Sequence, residues 1–233
     1  MPDFAQRFAR HGLRAAALCI VAVGLSGCFD LAQRVSIGRD GSGRYETSLT
    51  ADGIVGEALR NKSTDLTGFN RGVTTMSNVN GRVTQRSVVD FKSLGNLVFS
   101  DQFMSLTVRG HSLLGLGPSE MTFRRSFAVD RARAQHENED RDTGGMGRAV
   151  AQSILGDHTY VFSVTLPGSI ERIAPIVIGG QTIQPEVTGD FYNGHTITWR
   201  MPLYLMAMAH ALTFEVDFSA YGWFSNVATR TRT

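Results

Sequence analysis

The chain has 233 residues, 42% of them hydrophobic and 19% charged, with a formal charge of +2. That is enough for one domain with a real core, or two small ones; it is too apolar for disorder and too charged for a polytopic membrane protein. Three of the 23 basic residues (Arg7, Arg10, Arg14) and one of the 21 acidic ones (Asp3) precede position 28, leaving twenty of each sign beyond it, so the chain lacks the basic surplus of a nucleic-acid binder.

The first 27 residues read as a lipoprotein signal peptide. Arg7, Arg10 and Arg14 give a positive flank, and Ala15 to Leu25 is an apolar run too short to span a bilayer. It ends in Leu25-Ser26-Gly27-Cys28, a pattern that resembles the lipobox of bacterial lipoproteins. Leu25 would close the apolar run, while Ser26 and Gly27 are small enough to let a signal peptidase reach the bond before Cys28. The Cys28 thiol would take the lipid. Cys19 lies inside the apolar run directly after Leu18 and reads as a passenger. No cysteine follows Cys28, which excludes a disulfide, a cysteine nucleophile and a thiolate metal site in the mature chain. Two or three acyl chains such as palmitate give durable anchoring. In Gram-negative bacteria Asp after the lipidated Cys signals inner-membrane retention. Phe29 stands there, so the expected address is the outer membrane, facing the periplasm; with Asp30 next, the alternative is the periplasmic face of the inner membrane.

A single α+β domain is expected over 28–224, mainly antiparallel sheet with about three short helices, followed by a frayed tail over 225–233. Leu31 to Ile37 and Arg44 to Thr50 alternate apolar and polar residues about an Asp40-Gly41 turn, a β-hairpin signature. Ile54 to Asn61 has helical spacing; its Gly53-Ile54-Val55-Gly56 start lacks the basic surround of a nucleic-acid GxxG loop. Gly72 to Val79 and Arg82 to Phe91 form a second hairpin about Asn80-Gly81, with Val83, Gln85, Ser87 and Val89 on one side. Ser93 to Phe99 reads as a short helix. Met104 to Leu114 and Glu120 to Val129 pair next, with Met121, Phe123, Arg125 and Phe127 sharing a side on which Arg125 is out of place. Residues 130–145 are a charged loop and Met146 to Leu155 a short helix. Thr159 to Leu166 is the clearest strand, closed by Pro167-Gly168. Strands are expected over Ile183 to Val187, Gly194 to Pro202 and Leu212 to Phe218, with a helical-composition insert from Leu203 to Ala211. That makes about nine strands.

Chemistry is sparse. His158 and His195 flank expected strands, and with Asp157 or Asp190 they would make a metal site or hydrolase centre only if the fold brought them together; nothing in their spacing requires it. His111, His136 and His210 carry no metal spacing. Gly144-Gly145-Met146-Gly147-Arg148 follows a charged loop rather than a strand, unlike a dinucleotide fingerprint, and no G-x-S-x-G elbow is present. No catalytic residue, metal or cofactor is expected. Aromatics gather in the last third (Phe191, Tyr192, Trp199, Tyr204, Phe214, Phe218), mostly as core. Tyr221, Trp223 and Phe224, beyond the last good strand, form the candidate apolar contact.

The order of a lipobox Cys28, a hairpin with Asp40-Gly41-Ser42-Gly43-Arg44-Tyr45, Val89-Asp90-Phe91, Leu166-Pro167-Gly168 and a late Ile197-Thr198-Trp199 resembles the LppM-type bacterial lipoprotein domain over roughly residues 28 to 220. The resemblance implies an α+β envelope domain that interacts with lipid and supplies no catalytic residues. Family members often carry a C-terminal transmembrane helix. No apolar run of that length follows Phe224, so the Cys28 lipid is expected to be the anchor. The expected function is non-enzymatic: a lipid-anchored envelope protein that binds an envelope lipid or a partner protein. The alternatives are an accessory subunit of an envelope assembly and, third, a periplasmic hydrolase.

Overall fold

The computed structural model describes residues 29–61, 66, 72–94, 102–110, 117–128, 152–153, 155–190, 193–209 and 211–221. The first expected hairpin forms from β1 (Phe29–Ile37) and β2 (Gly43–Ala51). Asp40 organises its turn, accepting the Ser42 backbone N–H at 3.0 Å and the Ser42 hydroxyl at 2.7 Å. A helix, α1 (Gly53–Asn61), follows and packs on β2 and on the later strand Arg82–Phe91. The second hairpin, β3 (Val73–Val79) with β4 (Arg82–Phe91), turns at Asn80 and Gly81. Both turn residues have positive φ, 53° and 82°, as the Asn-Gly turn that matches strand twist requires.

β5 (Gln102–Gly110) and β6 (Ser119–Ala128) start a separate sheet, after which β7 (Thr159–Leu166) returns to the first. Beyond it run β8 (Ser169–Ile173), β9 (Ile176–Ile178), β10 (Gln181–Ile183), β11 (Glu186–Asp190), β12 (Gly194–Pro202), the helix α2 (Leu203–Met208) and β13 (Ala211–Ala220). The large sheet has the order β11-β12-β7-β1-β2-β4-β3, and the small one β5-β6-β13-β8; β9 and β10 pair by themselves.

Alternation places the core. In β7, Tyr160, Phe162, Val164 and Leu166 are all fully buried, one face of a period-2 strand. They meet the inner side of β6 and β13, where Phe123, Phe214, Val216 and Phe218 are equally buried. Phe162 lies 4.5 Å from Phe214 between ring centroids, and Trp199 lies 5.1 Å from Phe214. Two sheets thus face each other across aromatic rings, a sandwich-like packing.

Arg125, out of place on its apolar strand, is buried in this core. Its guanidinium donates to Gln33 Oε1 at 2.6 Å, and Tyr160 donates its hydroxyl to the same oxygen at 2.8 Å. The guanidinium carbon sits 4.4 Å from the Phe127 ring centroid and 4.6 Å from that of Phe162, so ring faces supply part of its electrostatic surround. Burial pushes the Tyr160 hydroxyl pKa upward, against the lowering effect of the Arg125 charge, and keeps that hydroxyl a donor.

The sheets are mainly antiparallel, as expected, with one exception: β1 pairs parallel with β7, because the chain leaves for the second sheet between them. Three expectations need correction. Strands are more numerous than nine, since Pro175 and Pro185, which lack N–H donors, and the positive-φ turn at Gly179-Gly180 cut the 169–190 stretch into β8, β9, β10 and β11. Ile183 to Val187 is therefore not one strand. Among the described residues the helices are two, α1 and α2. Of the three expected, that over 54–61 forms, while 93–99 and 146–155 lie mostly outside the described residues. α2 comes from the insert after Leu203, opened by Pro202. The 130–145 loop and the 225–233 tail lie outside the described residues.

Candidate functional site

The outer face of the large sheet carries a shallow trough of about 440 Å³ across β12, β7, β1 and β2. It arises because the residues alternating with the core positions of β7 and β12 are Ser163, Thr165, Thr196 and Thr198. Antiparallel pairing sets Thr196 opposite Thr165 and Thr198 opposite Ser163. Their hydroxyls are hydrogen-bonded at 2.8 and 3.0 Å. Each hydroxyl oxygen carries two acceptor lone pairs, so a hydrogen-bonded pair keeps acceptor capacity beyond its mutual bond.

Arginines frame this floor. Arg34 and Arg86 both engage Glu46, at 3.5 and 2.6 Å, and Arg44 holds Asp90 at 2.7 Å. Hydrogen bonding to Asp90, with its charge, raises the Arg44 pKa and lowers that of Asp90. Arg200, exposed on β12, has no carboxylate within ion-pair distance among the described residues. Glu186, opposite the neighbouring Thr198 on the edge strand, forms no ion pair with it either. One uncancelled guanidinium beside four hydroxyls suits an anionic, oxygen-rich ligand, with the guanidinium fork meeting a phosphate or carboxylate.

At one end of the sheet, the Phe29 backbone N–H donates to His158 Nδ1 at 2.9 Å, and the two rings stack 4.1 Å apart. Asp30 accepts the Thr159 N–H at 3.2 Å and pairs with Arg82 at 3.0 Å. Phe29, the residue after Cys28 in sequence, is thus already tied into the sheet.

His158 is committed to that contact. His195 sits at the other end of β7, opposite Leu166, with Nδ1 2.7 Å from the Gly168 carbonyl. The eight residues of β7 separate the two histidines, roughly 26 Å at strand rise. They do not converge, and the arrangement the hydrolase alternative needs is not formed. Asp190 is occupied with Asn193 at 2.8 and 2.9 Å.

Leu25, Ser26, Gly27 and Cys28 lie outside the described residues, as do Trp223, Phe224, Phe191, Tyr192, His111, His136, His210 and residues 144–148. Tyr221 is described and 52% exposed just past β13. Trp199, Tyr204, Phe214 and Phe218 are buried. Sequence reasoning missed the trough. Its signal, Ser and Thr alternating with core residues on β7 and β12, is also that of any solvated sheet face; only the pairing of these strands collects them.

No family model matches the chain, and no curated protein matches it. Among solved structures, the NMR structure of the folded domain of LppM from Mycobacterium tuberculosis is similar. Its TM-score is 0.40 at 10% identity, covering 83% of this chain and 90% of that one.

Proposed function

We propose that this chain is a non-enzymatic, lipid-anchored bacterial envelope protein, held through Cys28 at the outer membrane and facing the periplasm, whose large sheet binds the anionic headgroup of an envelope lipid. The trough carries the binding half of this reading: Arg200 has no acidic partner among the described residues and stands beside two hydroxyl pairs. A deep apolar pocket would favour an acyl chain, whereas these polar walls favour a headgroup.

The anchor is supported by Leu25-Ser26-Gly27-Cys28 running straight into a strand at Phe29. In sequence no linker separates Cys28 from that strand.

Two experiments test the two halves. Cys28→Ser shifts the processed protein from the membrane to the soluble fraction; a variant still bound after leader removal contradicts the anchor. Arg200→Glu weakens co-sedimentation of the chain from Phe29 onward with anionic phospholipid vesicles by about tenfold, as expected for loss of a charge-assisted contact and its reversal. Unchanged binding contradicts the assignment of the trough.

A further inference from the structure

We infer that β3 is a self-association edge, at which two membrane-anchored copies of this chain join their large sheets across a twofold axis through Met76. The inference rests on the anchoring reading above and not on the trough's ligand.

β3 closes one side of the seven-stranded sheet. An edge strand offers unpaired backbone donors and acceptors, and proteins blunt such edges with charge, proline, bulges or shortness. The other three edges of the seven- and four-stranded sheets carry such devices. β11 is five residues long, contains Glu186 and Asp190, and bends at Gly189 with φ of 102°. β8 is also five residues long, bears Glu171 and Arg172, and meets a register shift in its partner. β5 bears Arg109 and shifts register between Val108 and Gly110.

β3 has none of them. Its seven residues, Val-Thr-Thr-Met-Ser-Asn-Val, contain no charge, proline or glycine, and its register against β4 is continuous. Val73, Met76 and Val79 are 70%, 40% and 65% exposed; they are three of the six large exposed hydrophobics among the described residues.

The sequence of β3 is also complementary to itself. Antiparallel pairing about Met76 sets Val73 against Val79 of the second copy, Thr74 against Asn78, Thr75 against Ser77 and Met76 against Met76. Each pair joins apolar to apolar or polar to polar, and no like charges meet, as an isologous contact requires. Glu186 and Asp190 on a five-residue strand would not permit this for β11. The axis runs normal to the sheet, so both Phe29 ends reach one bilayer when the sheet lies along it. Two seven-residue edges bury less than the roughly 1,200 Å² of a stable soluble interface. Confinement to a shared membrane supplies the effective concentration that pairing needs.

The twofold places Met76 opposite itself, within the Cα separation of about 4.5–5.5 Å for facing residues, which a disulfide spans. Full-length Met76→Cys, expressed in membranes and oxidised, is expected to give a disulfide-linked homodimer severalfold above Val187→Cys on the opposite edge. It should also exceed the wild-type background from Cys19 and Cys28. Adding Thr75→Lys and Ser77→Lys, which oppose like charges across the axis, should return the yield to that background. A Met76→Cys yield no higher than Val187→Cys, with both variants resisting proteolysis like wild type, overturns the inference. A link to a protein of another mass also overturns it, and would assign the edge to a different partner. Fractionation of the same cells reports the anchor separately. The disulfide is read in whichever fraction holds the protein, so failure of anchoring and failure of pairing give different results.

Discussion

The two outer faces of this sandwich are built from the same residue types and end in opposite electrostatic states. On the small sheet, Asp217 is nearly buried and accepts the Thr122 hydroxyl at 2.6 Å and Arg172 Nε at 2.7 Å, with Arg109 at 3.7 Å. Arg172 also reaches Glu215 at 2.7 Å, Arg124 reaches Glu215 at 3.8 Å, and Arg109 reaches Glu171 at 3.1 Å. Three arginines and three carboxylates cancel within one network. On the large sheet, two arginines share Glu46, and Arg200 has no acid in range among the described residues. A cancelled network serves stability, whereas an uncancelled charge beside hydroxyls is available to a ligand.

The largest expected effect comes from opening the closed face. Asp217→Asn removes the charge that Arg172 and Arg109 share, and urea unfolding is expected to show a loss of about 2 kcal/mol. That is below the value for a fully buried pair, because Arg172 is half exposed. The same group sets a pH dependence. Burial pushes the Asp217 pKa up, but the Thr122 and Arg172 hydrogen bonds and the Arg109 and Arg172 charges outweigh it, and the net shift is downward from 3.8. Its stabilisation is therefore complete above that value and lost as pH falls through the lower folded one. The urea midpoint of wild type should drop toward that of Asp217→Asn in acid, converging on it. Parallel curves from pH 6 to pH 2 would remove Asp217 from the account.

A smaller and opposite split is expected for single arginines. Arg200→Ala should leave stability within about 0.5 kcal/mol while weakening vesicle binding. Arg172→Ala should lower the urea midpoint and leave binding unchanged. Equal effects of both variants on both readouts would erase the distinction between the faces.

The smallest effect is expected for the hydroxyl floor. Thr165→Val with Thr196→Val replaces both members of a hydrogen-bonded pair by groups of similar shape, a change that is nearly neutral for folding. Thermal unfolding should move little, with headgroup binding reduced a few-fold.

Much of the fold was legible in the sequence, because strand alternation and turn residues are local signals. Asp40-Gly41 and Asn80-Gly81 marked both hairpins, and the polar-apolar alternation of Thr159 to Leu166 marked the central core strand. What was not legible depends on contacts distant in sequence. The β1–β7 parallel pair joins residues 129 positions apart. Arg125 made no sense on its own strand, because its partner Gln33 lies 92 residues upstream. The trough was hidden for the same reason: Ser163 and Thr165 are ordinary outward residues until β12 sets Thr198 and Thr196 beside them. Among the aromatics assigned to an apolar contact, Tyr221 is exposed, while Trp223 and Phe224 lie outside the described residues.

The contrast between the faces is tested most directly by mapping backbone amide shifts while the chain from Phe29 onward is titrated with anionic phospholipid bicelles. The account predicts shifts clustered at Ser163, Thr165, Thr196, Thr198 and Arg200, absent from Arg124, Arg172 and Glu215, and abolished by Arg200→Glu. Shifts centred on the small sheet's outer face, or spread equally over both faces, would contradict it.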